Sequence, residues 1–420
     1  MAVLCFEMSV LYNIGIRCYS AAIALASPFN RKARLRHRGG REALRHIEES
    51  MRGVEGRVVW IHAASLGEFE QGRPIIERIK QDSPETVVVL TFFSPSGYEI
   101  RKDYPCADQV FYLPADTPKN VRCFLDAVHP DVAILIKYEF WLNYLGELRR
   151  RNTPTYLASA IFRPTQVHFR AWGGIWRKAL ETYTNIFVQD EASRTLLEGI
   201  GYTRSIIAGD TRFDRVAAIA KAAIEIPTIE RFRGNSDLFV AGSTWGKDEK
   251  ILAQLINSNQ AIRFVVAPHE IDEERIKWLE ANIRGGVVRY THSTPNDDFS
   301  TTQVLVLDTI GLLSSVYGYA RWAYIGGGFG VGIHNTLEAA TFGLPIAFGP
   351  NYHKFREARD LISVGAAHSI TSAEELKAWF KPLATDGEAL QKASSSARHY
   401  TEEQCGATDT IINTIFSNRH

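Results

Sequence analysis

The chain is short of several things, and each shortage removes a class of protein. Cysteine is sparse. Cys5, Cys18, Cys106, Cys123 and Cys405 lie far apart with no CxxC pair, so the pattern offers neither a zinc site nor a disulfide framework and fits reduced thiols in a cytosolic compartment. Net charge is almost absent, at +1 over 420 residues. Binding nucleic-acid backbones takes a concentrated basic surface, so no nucleic-acid partner is expected. Long apolar runs are missing too. The most apolar stretch, residues 1–29, is interrupted by Glu7, Asn13 and Arg17, whereas a full membrane span needs about 20 apolar residues. No Ser/His/Asp order suggests a hydrolase, and no DxD segment or metal-ligand spacing stands in the first half. No metal is therefore expected. The glycine-rich stretch lies far from the first strand and departs from the dinucleotide fingerprint, which argues against NAD.

What is present suits a soluble globular enzyme of two ordinary domains, with 45% hydrophobic and 23% charged residues. The N-terminal segment, 1–40, is the exception. Its apolar run is followed by a basic cluster, Arg31, Lys32, Arg34, Arg36, His37, Arg38 and Arg41. A cleavable signal places its charge before the apolar core, not after it. The order predicts a helix that dips into a membrane surface with a basic collar on anionic headgroups. The competing readings are a hydrophobic helix packed on the protein body and a single N-terminal span anchoring the chain from the cytoplasmic side.

From residue 57 the pattern alternates between short apolar strands and helices. Strands are expected at 58–62, 86–93, 110–113, 132–137, 155–158 and 185–188, with a helix over 69–80. A second series follows at 238–241, 262–267, 287–290, 304–308, 322–325 and 346–348, and residues 374–416 read as helical. Such alternation implies parallel sheets. Ligands of open sheets sit beyond the carboxyl ends of the strands. The expected fold is α/β, with two Rossmann-like domains facing a central cleft. The expected division is a first domain at 41–225, a second at 236–395 and a terminal helix at 396–420 packing back toward the first.

The stretch 324–350, YIGGGFGVGIHNTLEAATFGLPIAFGP, organises the second half. A strand breaks at Gly326, Gly327 and Gly328, and a helical pattern opens near His334 and Asn335 with Glu338 inside it. Glycines permit close backbone approach, and a helix N-terminus attracts an anion such as phosphate. A plain strand–helix turn is the bland alternative. Ser243, Thr244 and Lys247 follow another strand, either as helix caps or as hydroxyls and a cation for phosphate oxygens. Pro268 and His269 end a third. In the first half Glu68 follows Ser65 and Gly67, where a carboxylate either satisfies a helix dipole or serves as a general base.

Several motifs stand in one order: His62-Ala63-Ala64-Ser65-Leu66-Gly67-Glu68, Tyr138-Glu139-Phe140-Trp141-Leu142-Asn143, Phe187-Val188-Gln189-Asp190, Gly209-Asp210-Thr211-Arg212-Phe213-Asp214, Ala241-Gly242-Ser243-Thr244, Asp308-Thr309-Ile310-Gly311-Leu312-Leu313, and Gly326-Gly327-Gly328 before His334-Asn335-Thr336-Leu337-Glu338. In that order the chain resembles the 3-deoxy-D-manno-octulosonic acid (Kdo) transferases of Gram-negative bacteria. The resemblance implies a GT-B glycosyltransferase fold and transfer of Kdo from CMP-Kdo to a lipid A precursor. It also implies inversion at the anomeric carbon, no metal, and a place at the cytoplasmic face of the inner membrane. It makes Glu68 the base and puts Ser65, Gly67, Ser94, Ser96, Gly97 and Glu139 on the acceptor side. Ser243, Thr244, Lys247, Pro268, His269, Gly327, Gly328, Asn335 and Glu338 fall to the nucleotide sugar. Two departures stand out. The family's Pro-Arg-His reads Ala267-Pro268-His269 here, and its Gly-Gly-Ser reads Gly-Gly-Gly. A GT-B sugar-nucleotide epimerase and a non-catalytic nucleotide-sugar-binding membrane module are the alternatives. Neither needs both a base at Glu68 and a membrane-seeking start.

Overall fold

A computed structural model describes residues 2–417, with side chains from Val10 onward. The earlier side chains of the N-terminal segment and the last three residues of the C-terminal one lie outside the described residues. The chain divides into two compact units, 1–214 with 406–420, and 215–405.

The first unit holds a parallel seven-stranded sheet. Its strands are β1 (Val58–Ala63), β2 (Val87–Phe92), β3 (Gln109–Tyr112), β4 (Val132–Ile136), β5 (Thr155–Ala160), β6 (Asn185–Val188) and β7 (Ser205–Ile207). They lie in the order β3-β2-β1-β4-β5-β6-β7. Strand alternation decides the layering. On β1, Val59, Ile61 and Ala63 enter one core while Val58 and Trp60 enter the other. Both faces are covered, so β1 and β4 are buried along their whole length.

The second unit repeats the plan. Its strands are β8 (Leu238–Thr244), β9 (Arg263–Pro268), β10 (Gly286–Arg289), β11 (Thr302–Val306), β12 (Trp322–Ile325), β13 (Ile346–Phe348) and β14 (Ala367–Ser369). They lie in the order β10-β11-β9-β8-β12-β13-β14. Leu238 and Val240 face one core, Phe239 and Ala241 the other. The expected strands are all present. β7 and β14 were not anticipated because each is a three-residue edge strand, too brief to show a period.

Four helices position the first unit's site. Helix α1 (Ala2–Ala26) and α2 (Arg31–Ser50) precede the sheet, α3 (Leu66–Asp82) follows β1, and α4 (Pro95–Arg101) follows β2. In the second unit α5 (Gly246–Asn257) follows β8 and α6 (Leu337–Ala340) follows β12, while α7 (Ala407–Phe416) returns to the first unit. The compact units divide after Asp214, where the sequence placed the division between 225 and 236. Asp214 accepts hydrogen bonds from the Gly406 and Thr408 N–H groups and from the Thr408 hydroxyl. This carboxylate ties the point where the chain leaves the unit to the point where it returns. The Pro227 region is itself a helix, because proline occupies its first turn at no hydrogen-bond cost. The segment expected to be helical over 374–416 is broken at Asp386 and Gly406. Of the piece expected to rejoin the first domain, only the part from Gly406 does so, burying Ile411, Ile412 and Ile415 beside β1.

Helix α1 is packed on one side and bare on the other. Tyr12 Oη donates to Asp116 at 2.6 Å, Asn143 Nδ2 donates to Asn13, and Tyr19 stacks on Phe93. Leu11, Ile14 and Leu25 stay exposed. No helix among the described residues is long and apolar enough to cross a membrane.

Candidate active site

In each sheet the strand order reverses beside the first strand of the series, between β1 and β4 and between β8 and β12. Those are the switch points where crevices open beyond the carboxyl ends. Three non-glycine residues with left-handed backbone sit at such ends: Lys137 after β4, Ser159 on β5 and Ser243 on β8 (φ 74°, 52° and 53°). Each conformation costs about 1–3 kcal/mol and persists only where its surroundings impose it.

In the first unit Ser65 is the N-cap of α3, with extended backbone and no side-chain bond to the helix N–H groups. Its hydroxyl donates instead to the carboxylate of Glu68, in the first turn. The helix begins at Leu66, three residues earlier than expected, so Glu68 belongs to its opening turn. Gly67 is exposed, and a Cβ there would meet only Ser65 Oγ at 3.7 Å. The loop after β2 is joined to this one by the Ser94 N–H donating to the Ala64 carbonyl at 2.7 Å. Ser94 caps α4 by accepting from the Ser96 N–H, and the two hydroxyls lie 2.9 Å apart. Gly97 is a packing glycine, since a Cβ would strike the Phe92 ring at 2.2 Å.

Glu139 is 4% exposed. Its carboxylate accepts from Trp141 Nε1 and lies 3.2 Å from His62 Nε2. The other His62 nitrogen is 2.9 Å from Thr91 Oγ1, which also accepts from Trp60 Nε1. Glu139 is thus turned inward to fix Trp141 and His62, and it does not present its charge to a ligand. This buried network was not anticipated from the sequence.

The second unit corrects the account of its glycines. Helix α6 begins at Leu337, not near His334, and has four residues. Its first turn offers little dipole. The glycines serve packing. A Cβ at Gly326 would lie 2.2 Å from the Ser243 carbonyl oxygen, and one at Gly328 would lie 2.6 Å from Gly349. Gly327, at φ 91°, donates its N–H to Asp248 at 3.0 Å. Asp248, on α5, also accepts from Tyr324 Oη at 2.7 Å and from the Trp245 N–H at 2.8 Å. One buried carboxylate therefore holds the glycine loop to the β8 loop. The sequence signal for it was available: an acidic residue three positions after an N-cap is a capping-box position.

Thr244 is buried and donates to Glu249 at 2.9 Å, so its hydroxyl is turned away from the surface. Ser243 lies beside it at a break in register, and Lys247 is exposed on α5. Pro268 ends β9, and His269 is exposed just beyond. His269 stacks on His334 at 4.2 Å and on Trp245 at 4.8 Å. Burial, reinforced by His269, pulls the His334 imidazole down to about 4. The neutral ring accepts at Nε2 from the Trp245 indole N–H, 3.2 Å away, which leaves Nδ1 as the donor. Asn335 accepts from the Leu337 N–H and donates to Glu338, which also accepts from Ser314 Oγ at 2.6 Å. Among the described residues no group of three or more His, Cys, Asp or Glu is placed to hold a metal ion.

Two parallel Rossmann-like sheets, with polar loops at the switch points of both, define a GT-B fold. The fold is shared with UDP-GlcNAc 2-epimerase from Neisseria meningitidis, bound to UDP-GlcNAc (TM-score 0.61, 14% identity, 86% of this chain and 100% of that one). It is also shared with Acinetobacter baumannii MurG (TM-score 0.55, 13% identity, 86% and 100%). At such identities the likeness concerns architecture alone.

Sequence is more specific. Residues 33–215 match the family model described as 3-deoxy-D-manno-octulosonic-acid transferase (kdotransferase). The 3-deoxy-D-manno-octulosonic acid transferase of Haemophilus influenzae is 27% identical over 384 residues, covering 85% of this chain and 86% of that protein. The one from Aquifex aeolicus is 26% identical over 340 residues, covering 78% and 86%. By sequence the chain is thus similar to the Kdo transferases over most of its length.

Proposed function

We propose that this protein transfers Kdo from CMP-Kdo to a hydroxyl of a lipid A precursor, with inversion and without a metal ion. The observation that carries the reading is the Ser65–Glu68 pair at the start of α3. Glu68 takes the proton of the acceptor hydroxyl, and the hydroxyl oxygen forms a bond to the anomeric carbon from the face opposite the nucleotide. The bond from that carbon to the CMP phosphate oxygen breaks, and CMP leaves with the electron pair. Ser65 orients the carboxylate, and Gly67 leaves room in front of it. In the second unit, the Trp245–His269–His334 stack offers flat faces to a base, and Ser243, Asn335 and Lys247 offer polar groups to ribose and phosphate.

The epimerase reading is not favoured, because its likeness is confined to fold while the sequence relatives are transferases. Association with the cytoplasmic face of the inner membrane is part of the proposal. Exposed Leu11, Ile14 and Leu25 would enter the lipid, with the α2 arginines on headgroups. The test is product mass after incubating the full chain with CMP-Kdo and a tetraacylated lipid A precursor in detergent. A mass increase of one or more Kdo units is expected. No increase, where an established Kdo transferase gives one, would overturn the reading.

A further inference from the structure

Arg36 is a cation without a counter-charge. It is 8% exposed, and among the described residues it forms no ion pair. One guanidinium nitrogen donates to the Leu113 carbonyl at 2.8 Å, while Nε and Nη1 have no partner. Its other contacts are with aromatic faces, the Phe93 ring at 4.5 Å and the Tyr112 ring at 5.7 Å. Leaving two guanidinium donors buried and unsatisfied is costly, and a fold that tolerates it keeps them for something else.

These groups line a cavity of about 350 Å³ between α1, α2 and the ends of the sheet. Ile16, Tyr19, Ile23 and Leu44 form apolar walls, and His37 and Arg41 add further basic groups. Asp116 also lines it. That carboxyl is pushed up to about 6 by burial, and its oxygens are occupied by Tyr12 and by the N–H groups of Asn143 and Tyr144. The sequence makes room for the guanidinium at a visible expense. Helix α2 contains Gly39-Gly40 in its interior, an unfavourable choice for a helix. A Cβ at Gly39 would strike the Tyr112 ring at 2.3 Å, and one at Gly40 would come within 2.8 Å of Arg36 Nη1.

The two chemistries of the cavity, a fork of free donors and a wall of aliphatic side chains, belong to one kind of ligand. We propose that it receives a phosphate-bearing end of the acylated acceptor, with Arg36 donating to the phosphate oxygens and an acyl segment lying along α1. The inference rests on the transferase reading for the identity of the lipid. The wall supports the acceptor over a bulk bilayer lipid. Phe93 precedes Ser94, whose N–H is bonded to the Ala64 carbonyl beside Ser65, and Trp141 shares its indole with Glu139. The cavity therefore continues into the loops that carry the acceptor-side residues.

The test has two arms on the full-length chain. In the first, dodecyl phosphate below its micelle concentration is titrated calorimetrically into wild type, Arg36→Ala and Gly40→Ala. Gly40→Ala favours the helix by propensity while displacing Arg36, so a shared loss cannot come from unfolding of α2. Both variants are expected to bind at least tenfold more weakly, at unchanged melting temperature. Equal binding by all three overturns the site. In the second, Kdo transfer is followed with a bisphosphorylated tetraacyl disaccharide and with its dephosphorylated form. Arg36→Ala is expected to raise the KM of the phosphorylated acceptor about tenfold, leaving kcat and the KM for CMP-Kdo in place. It should also remove the preference between the two acceptors. An unmoved acceptor KM in a protein that does transfer Kdo sinks the cavity proposal and spares the transferase reading. Arg36-dependent dodecyl phosphate binding in a protein that transfers nothing does the reverse. If phosphatidylglycerol competes as well as the acceptor, the occupant is a bilayer lipid and the acceptor assignment falls.

Discussion

The loop after β1 leads into a helix of 17 residues, and the loop after β12 leads into one of four. Both follow a strand at a switch point, and both carry glycine. At Gly67 the missing Cβ leaves open space, whereas at Gly326 and Gly328 the missing Cβ is filled by protein backbone. In the first unit a carboxylate, Glu68, stands at the helix start, bonded among the described residues only to Ser65. In the second, Asp248 is buried and holds three donors. The same order of strand, glycine and helix thus leaves a carboxylate accessible in one unit and builds internal architecture in the other. What separates them is whether protein atoms already occupy the space in front of the loop.

The comparison can be broken most forcefully at the two carboxylates. Glu68→Gln is expected to lower kcat about 10³-fold, the range of a lost general base, while the melting temperature and CMP-Kdo affinity stay put. Retained turnover would strip Glu68 of its role. Asp248→Ala should do the opposite. It orphans Tyr324 Oη and the Gly327 N–H and should cost about 3 kcal/mol of stability, read from chemical denaturation, with CMP-Kdo binding lost alongside.

A third prediction uses His168, buried in the first unit like His62. Among the described residues it has no hydrogen-bond partner at either ring nitrogen, and it sits against Phe140 at 4.2 Å. Burial, aided by Arg177, pulls it down to about 4. Its folded state therefore disfavours the proton that the unfolded chain accepts near pH 6.5. The resulting stability is full above pH 6.5 and is lost as pH falls toward 4, by about 3 kcal/mol. Denaturation midpoints at pH 7 and pH 4.5 should converge in His168→Leu relative to wild type. An unaltered pH dependence would mean that His168 does not carry it.

The glycines sharpen the comparison at smaller scale. Gly328→Ala overpacks against Gly349 and should cost about 1–3 kcal/mol. Gly67→Ala should leave stability unchanged or raise it by about 0.5 kcal/mol from helix propensity, and yet reduce kcat/KM for the acceptor. Equal thermal shifts in the two variants would erase the distinction drawn between them. Smallest in stability is the exposed face of α1. Leu11→Ser with Leu25→Ser should change the melting temperature little and move the protein from vesicle-bound to free in flotation, and unchanged flotation would remove this face as the lipid contact.

Much of this was legible beforehand. The strands of both units showed as short apolar runs, since parallel strands covered on both faces have no polar side to alternate with. Ser65 and Glu68 were legible as a polar turn after β1, with Glu68 as a helix-dipole partner or a base. The glycine stretch was legible as a loop but not in its purpose, because a glycine demanded by a ligand and one demanded by a neighbouring strand look alike in one dimension. The inward direction of Thr244 and Glu139 was not legible for a related reason. Hydroxyl and carboxylate groups after strands suggest a ligand, but their direction depends on partners such as Glu249 and His62, 5 and 77 residues away in sequence. Arg36 was read as one more arginine of a basic collar. Its burial depends on α2 packing near Leu113 and Phe93.

By itself the sequence determined the class of fold, the order of its motifs and the kind of chemistry, because hydrophobic period and residue type are local properties. Only the tertiary structure decided which polar groups stay available. It turned Asp248, Thr244 and Glu139 inward and, among the described residues, left Glu68 with a single hydrogen-bond partner and enclosed Arg36 with two nitrogens that have none. The reason is physical: a side chain's function depends on the groups that satisfy it, and those come from distant parts of the chain.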